Sequence, residues 1–204
     1  RTTSFTSPLN PQFTHTMKTQ NRFRFDGDKV TLPDGFILTF TSDYDTHHGA
    51  PWDEECGHGP VSDWVHCEKR SGELLLCSDG ILKRFYDFAG AMVIAKRDGW
   101  GLADDALAAL TRKLGHAPTK GQLAEAAVLA DFRNLEGWAN DRWHYIGVIV
   151  TLRNPEGEEV YSESLWGVED SGDYYQDVAE ELAEELESRH AIDVAEDFDA
   201  ACRN

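Results

Sequence analysis

The sequence predicts an α+β fold: an antiparallel sheet of hairpins packed with three to four helices, and a long polar loop at residues 43–72. Three observations lead there. Short β-rich runs flank turn residues at Pro33-Asp34-Gly35, Asp79-Gly80 and Asn154-Pro155-Glu156-Gly157. Several longer stretches repeat their apolar residues at helical spacing. Strand pairs come first, helices follow, then another strand pair and a last helix, without the regular strand–helix alternation of a parallel sheet. A chain of 204 residues with 41% hydrophobic content suits one sizeable core. The expected organisation is a leader at 1–16, a single domain at 17–190 and an acidic tail at 191–204.

Residues 1–16 are rich in Thr, Ser and Pro and lack an apolar run, so they read as a disordered leader that is neither a secretory signal nor a helix, with Met17 as a natural start behind it. Over 21–43 the pairs Phe23/Phe25 and Val30/Leu32 and the run 36–41 alternate as two or three strands. The loop follows, interrupted by Gly49, Pro51, Gly57, Gly59 and Pro60. Residues 73–78 and 81–86 form a hairpin about Asp79-Gly80. A short helix spans 88–97, with Asp87 as N-cap and Gly99 as its end. An amphipathic helix spans 103–114 and stops at Gly115. Thr119 caps a longer one running to about Trp143, with Leu123, Ala127, Leu129, Phe132, Leu135 and Trp138 on its core stripe. Strands at 144–153 and 159–168 make the last hairpin, and Asp173 opens a helix over 174–190.

No segment approaches the roughly 18 consecutive apolar residues of a membrane span. With no secretory signal in view, a soluble, cytoplasmic protein is expected, and Cys56, Cys67, Cys77 and Cys202 read as reduced thiols. The formal charge is -18, unevenly placed: residues 1–155 carry 20 acids and 17 bases, whereas 156–204 carry 17 acids against Arg189 and Arg203. Such a balance disfavours direct nucleic-acid binding and favours basic protein surfaces.

Residues 47–67, HHGAPWDEECGHGPVSDWVHC, concentrate polar chemistry. A zinc site is one reading, with His47, His48, Cys56, His58, His66 and Cys67 as candidate ligands and Cys77 downstream. The spacing matches neither a C-x2-C pair nor an H-E-x-x-H helix, so zinc rests on residue types alone. A metal-assisted hydrolase is another, with His47, His48 or His58 beside Asp45, Asp53, Glu54 or Glu55. No G-x-S-x-G, P-loop, G-x-G-x-x-G or nucleic-acid deaminase pattern nominates a reaction, and no catalytic residue is assigned. The third reading is a self-stapled loop: Trp52 and Trp64 fold onto the core while Asp, Ser and His side chains bond the loop's own backbone. Residue types and spacing favour this third reading.

The last helix carries a sharper signal. Tyr175, Val178, Ala179, Leu182, Ala183 and Leu186 form one stripe, and Asp173, Asp177, Glu180, Glu181, Glu184, Glu185 and Glu187 occupy the remainder. Like charges at i,i+3 and i,i+4 cost about 1.4–3.5 kcal/mol in total, offset locally only by Glu185–Arg189. Glutamate is a good helix former and promotes solubility, but neither property requires this concentration at one end. A cationic target gives it a use, including occupation of a groove built for phosphates.

The words GAPWDEECGHGPVSDW (49–64), RFYDFAGAMVIAKRDGW (84–100), WHYIGVIVTL (143–152) and SLWGVEDSGDY (164–174) resemble an uncharacterised family of small proteins from phages and bacterial mobile elements, over about residues 34–190. The resemblance implies context and no assigned chemistry. The family has Asp or His where Cys56 sits here, which argues against a cysteine-based metal site. By analogy with antirestriction and anti-CRISPR proteins, the resemblance implies an anti-defence inhibitor. The expected function is a non-enzymatic interaction protein whose C-terminal helix, a DNA mimic, binds a basic, nucleic-acid-binding host protein, with no cofactor and no membrane partner. The alternatives are the hydrolase or zinc protein of the 45–67 loop and a structural or assembly component.

Overall fold

The computed structural model describes residues 22–54 and 56–202, so the leader 1–16, Met17 and Glu55 lie outside the described residues. The fold class is α+β, as expected. In chain order come β1 (Lys29–Thr31), β2 (Ile37–Tyr44), α1 (Pro51–Glu54), β3 (Glu73–Asp79), β4 (Leu82–Asp87), α2 (Phe88–Asp98), α3 (Asp104–Leu114), α4 (Lys120–Ala139), β5 (Tyr145–Arg153), β6 (Glu159–Glu169) and α5 (Tyr174–Ala201). Strands β1-β2-β5-β6, in that order, make a four-stranded sheet, and β3-β4 make a separate hairpin. The chain divides into two compact units, and strands β2, β5 and β6 each contribute residues to both.

The first unit comprises the described residues up to Thr41, Ile149–Ser164 and residues from Gln176 onward. β1 and β2 pair antiparallel with Lys29 opposite Thr39 and Thr31 opposite Ile37. Phe23 and Phe25 do not form a strand. The Asp28 carboxylate accepts the Arg24 and Phe25 N–H groups at 2.8 and 2.9 Å, closing a turn that buries Phe23 and leaves Phe25 exposed. Its buried apolar residues are Phe23, Leu38, Phe40, Val150, Leu152, Val178, Ala179, Ala183 and Leu186. Four of these are stripe positions of α5; Tyr175 and Leu182 are half-buried. The expected tail is a continuation of α5 to Ala201. Residues 191–201 contain no Gly or Pro and are rich in Ala, so nothing after His190 stops the helix.

The second unit comprises Ser42–Val148 and Leu165–Tyr175. In its hairpin Leu75 faces Phe85 but Cys77 faces Arg84, so Leu76 is the extra residue of a β-bulge. The bulge breaks the pleat's alternation and lets the consecutive Leu76 and Cys77 both be buried. Asp87 caps α2 by accepting the Gly90 N–H, and Gly99 ends it in the left-handed region. Thr119 and Gln122 form a capping box at the start of α4. Helix α4 packs on α2 and β3 around Leu76, Tyr86, Ala91, Ala95, Ala124, Val128 and Leu135. The stripe is shifted from expectation: Val128 is fully buried and Leu129 only half-buried. Helix α4 also stops at Ala139, short of Trp143. Asn140 Nδ2 reaches the Leu76 and Glu136 carbonyls, the Arg142 N–H returns to Gly137 O, and Trp143 Nε1 donates to Asn134 O at 2.8 Å. The chain thus folds back over the helix's last turn.

Candidate functional site

The polar loop lies in the second unit and is organised by two carboxylates. Asp45 is buried, and its Oδ1 accepts the His47 and His48 N–H groups at 2.9 and 3.2 Å while Oδ2 accepts Gly167 N–H at 3.1 Å. These N–H groups, the His47 one foremost, hold the Asp45 carboxyl below the usual carboxylate range against the opposing effect of burial. Gly167 is in the left-handed region, at φ 74°, which a glycine adopts without strain.

The second carboxylate is Asp131, from the middle of α4. Its Oδ1 takes His58 Nδ1 at 2.6 Å, and its Oδ2 takes the Gly59 N–H at 2.8 Å and the Tyr86 hydroxyl at 2.6 Å. Burial drives the Tyr86 phenol far above its ordinary pKa, and the Asp131 carboxylate adds to the effect, so Tyr86 acts as a hydrogen-bond donor. A Cβ on Gly59 would lie 2.3 Å from the Tyr86 hydroxyl, so this close approach requires glycine. Farther on, the isolated bridges Val61↔Tyr86 and Val65↔Lys83 lay residues 61–65 along β4, and the Ser62 hydroxyl accepts the Phe85 N–H.

The loop is therefore stapled through its own backbone by side chains, as the third reading expects. Trp52 packs on the core, but Trp64 does not: it is 43% exposed and lies against the Arg84 guanidinium. The zinc candidates are not assembled. His47, His66 and Cys56 are exposed, His48 stacks on Tyr145 at 3.8 Å, His58 is bound to Asp131, and Cys77 is buried in β3. Cys67 is half-buried, and among the described residues no group of three or more His, Cys, Asp or Glu is placed to hold a metal ion. Asp53 and Glu54 sit at exposed α1 positions, and neither forms an ion pair with a histidine among the described residues.

The expected contact residues on α5 divide into two sets. Arg22 reaches across from the start of the described chain, its Nε 2.7 Å from Glu180 Oε2 and its Nη1 on Glu187, and the backbone N–H groups of Arg22 and Phe23 also donate to Glu180. Burial lowers the Arg22 pKa, but the Glu187 and Glu180 hydrogen bonds outweigh it and hold the guanidinium above its usual value. Arg189 lies 2.7 Å from Glu163 and 3.3 Å from Glu185. Glu181 and Glu184 are exposed with no ion pair among the described residues, as is Glu196, six residues beyond His190. Asp173 is exposed and Asp177 half-buried. Beside these carboxylates the distal part of α5 exposes Ile192, Val194 and Phe198, at 59%, 52% and 68%.

No protein-family model, curated protein or solved structure matches this chain. Among the described residues no helix is long and apolar enough to cross a membrane.

Sequence reasoning missed Asp131 and Arg22. A signal for Asp131 was present: it stands four residues after Ala127, three after Val128 and four before Leu135, a carboxylate at core-stripe spacing. Arg22 had none, because its partners lie 158 and 165 positions away.

Proposed function

We propose that this is a non-enzymatic interaction protein of a phage or mobile element, which binds a basic, nucleic-acid-binding host protein in the host cytoplasm and inhibits it. The observation that carries the proposal is the surface of α5. Its 28 residues extend about 42 Å, and exposed carboxylates at Glu181, Glu184, Glu185 and Glu196 accompany exposed Ile192, Val194 and Phe198. Acidic groups steer a cationic partner and set its register, while the neighbouring apolar side chains supply area to desolvate at the centre of an interface. This division shifts the contact set from the whole helix toward Glu181, Glu184 and Glu185, because Glu180 and Glu187 are already held by Arg22. It also gives the surface a mixed character that a pure phosphate mimic lacks.

The test is affinity capture from host lysate, followed by reconstitution with the purified captured protein across 50–500 mM salt, about a threefold change in Debye length. Binding is expected to weaken as salt rises. The quadruple charge reversal Glu181→Lys, Glu184→Lys, Glu185→Lys and Glu196→Lys is expected to weaken binding and abolish that salt dependence. Equal affinity for parent and reversed protein at low salt would refute the proposal.

A further inference from the structure

The second unit also holds an arginine-centred aromatic pocket that the acidic helix does not explain. A cavity of about 230 Å3 is lined by Ala50, Trp52, Asp53, Trp64, Cys77, Arg84, Trp138 and Ala139. Its centrepiece is Arg84 on β4, whose guanidinium carbon lies 5.3 Å from the ring centroids of both Trp52 and Trp64. Trp52 stands edge-on to Trp138, centroids 5.2 Å apart and planes at 88°. The β-bulge of β3 sets Cys77 opposite Arg84 and turns it into the cavity wall, where burial raises the thiol's pKa and keeps it protonated.

Arg84 is unusual in its charge environment. The chain has 37 acids against 19 bases, yet Arg84 makes no ion pair among the described residues, and its buried Nε has no hydrogen-bond partner. Indoles neutralise part of a cation's desolvation cost through their faces, but they offer no acceptor to the N–H groups in the guanidinium plane. An arginine clamped by two tryptophans beside an open cavity, with no ion pair among the described residues although Asp53 shares the lining, is suited to a planar oxyanion.

We propose that this pocket binds a small planar anion: a single aromatic ring system bearing a carboxylate or phosphate, its oxyanion on Arg84 and its ring against Trp52, Trp64 and Trp138. The volume lies below that of sites for drug-sized ligands, which restricts the occupant to one ring system. Asp53, at the rim, favours a ligand that also carries a hydrogen-bond donor, such as a ring amine or hydroxyl. Carboxylate and phosphate sources share this chemistry and are separated by the probes.

The experiment titrates the full chain with 4-aminobenzoate, indole-3-carboxylate, phenyl phosphate and 4-aminophenyl phosphate. The readouts are tryptophan fluorescence and the indole N–H resonances in NMR, with benzene-1,4-diamine and acetate as controls lacking the anion or the ring. Saturable binding by at least one ring-bearing anion is expected, with a dissociation constant of about 1 mM or tighter. Arg84→Gln and Trp64→Ala should each weaken it about tenfold or more. Trp64 is partly exposed and lies outside the packed core, so its replacement tests the site even if the Arg84 variant proves unstable. A purely structural clamp predicts that both substitutions lower melting temperature while the parent binds no probe. That result, or binding equally strong in the Trp64 variant, would overturn the proposal.

Discussion

Removing the Asp131 carboxylate is the most direct test of what holds the polar loop. Asp131→Ala strands the Gly59 N–H and the Tyr86 hydroxyl, both buried, and releases His58 from helix α4. An unsatisfied buried donor costs about 1–3 kcal/mol, so two donors and the lost His58 contact come to about 4 kcal/mol. For a chain of this length that corresponds to a fall of about 8–15 °C in melting temperature. Tyr86→Phe removes one donor and leaves Asp131 with two partners, for about 1–2 kcal/mol. Because both substitutions act on one hydrogen bond, the double variant should cost less than the sum by about 1 kcal/mol or more. Thermal unfolding by circular dichroism gives the totals, and exchange of the Gly59 amide reports the loop itself. If Asp131→Ala melts within about 2 °C of the parent and Gly59 remains protected, Asp131 does not staple the loop and the account given for it is wrong.

Two further outcomes are expected. Arg22→Gln removes the ion pairs to Glu180 and Glu187 and should cost about 1–2 kcal/mol of stability, the exposed part of these contacts being screened by solvent; a melting temperature unchanged at low salt would contradict it. Acid should destabilise the protein through Asp45, held low first by the His47 N–H, and Asp34, held low first by His190. With folded pKa values below the unfolded ones, the stabilisation is complete above about pH 4 and disappears as the pH drops through the folded values. Melts from pH 6 to pH 2 should show Asp45→Asn less acid-sensitive than the parent, and parallel curves would rule this out.

Legibility in the sequence followed how local each signal is. The capping box at Thr119, the Asp87 cap and the glycine stops at Gly99 and Gly115 are set within a few residues of one another, and all four stand where periodicity places them. The end of α4 departs from the periodic expectation because what closes it is a carbonyl of β3 and a tryptophan returning over the last turn, contacts with no sequence periodicity. The acidity of residues 191–204 reads as a tail, but the stretch to Ala201 contains no helix breaker and continues α5. The loop's composition supplies ligand types, yet among the described residues no three of them are placed to hold a metal ion: a short list of residue types carries no information about convergence in space.

The charge on α5 requires the same separation between composition and position. Arg22 lies between Glu180 and Glu187, and Arg189 between Glu163 and Glu185, so two guanidiniums are divided among four carboxylates. Each cluster keeps a net negative charge after pairing, and Glu181, Glu184 and Glu196 remain exposed around them. Internal pairing thus relieves part of the repulsion that the helix sequence carries while leaving the surface potential negative. The cationic partner proposed above would gain from that residual field without first having to displace either arginine. Substituting Glu181 and Glu184 should therefore weaken association more than substituting Glu180 and Glu187, whose removal also releases Arg22.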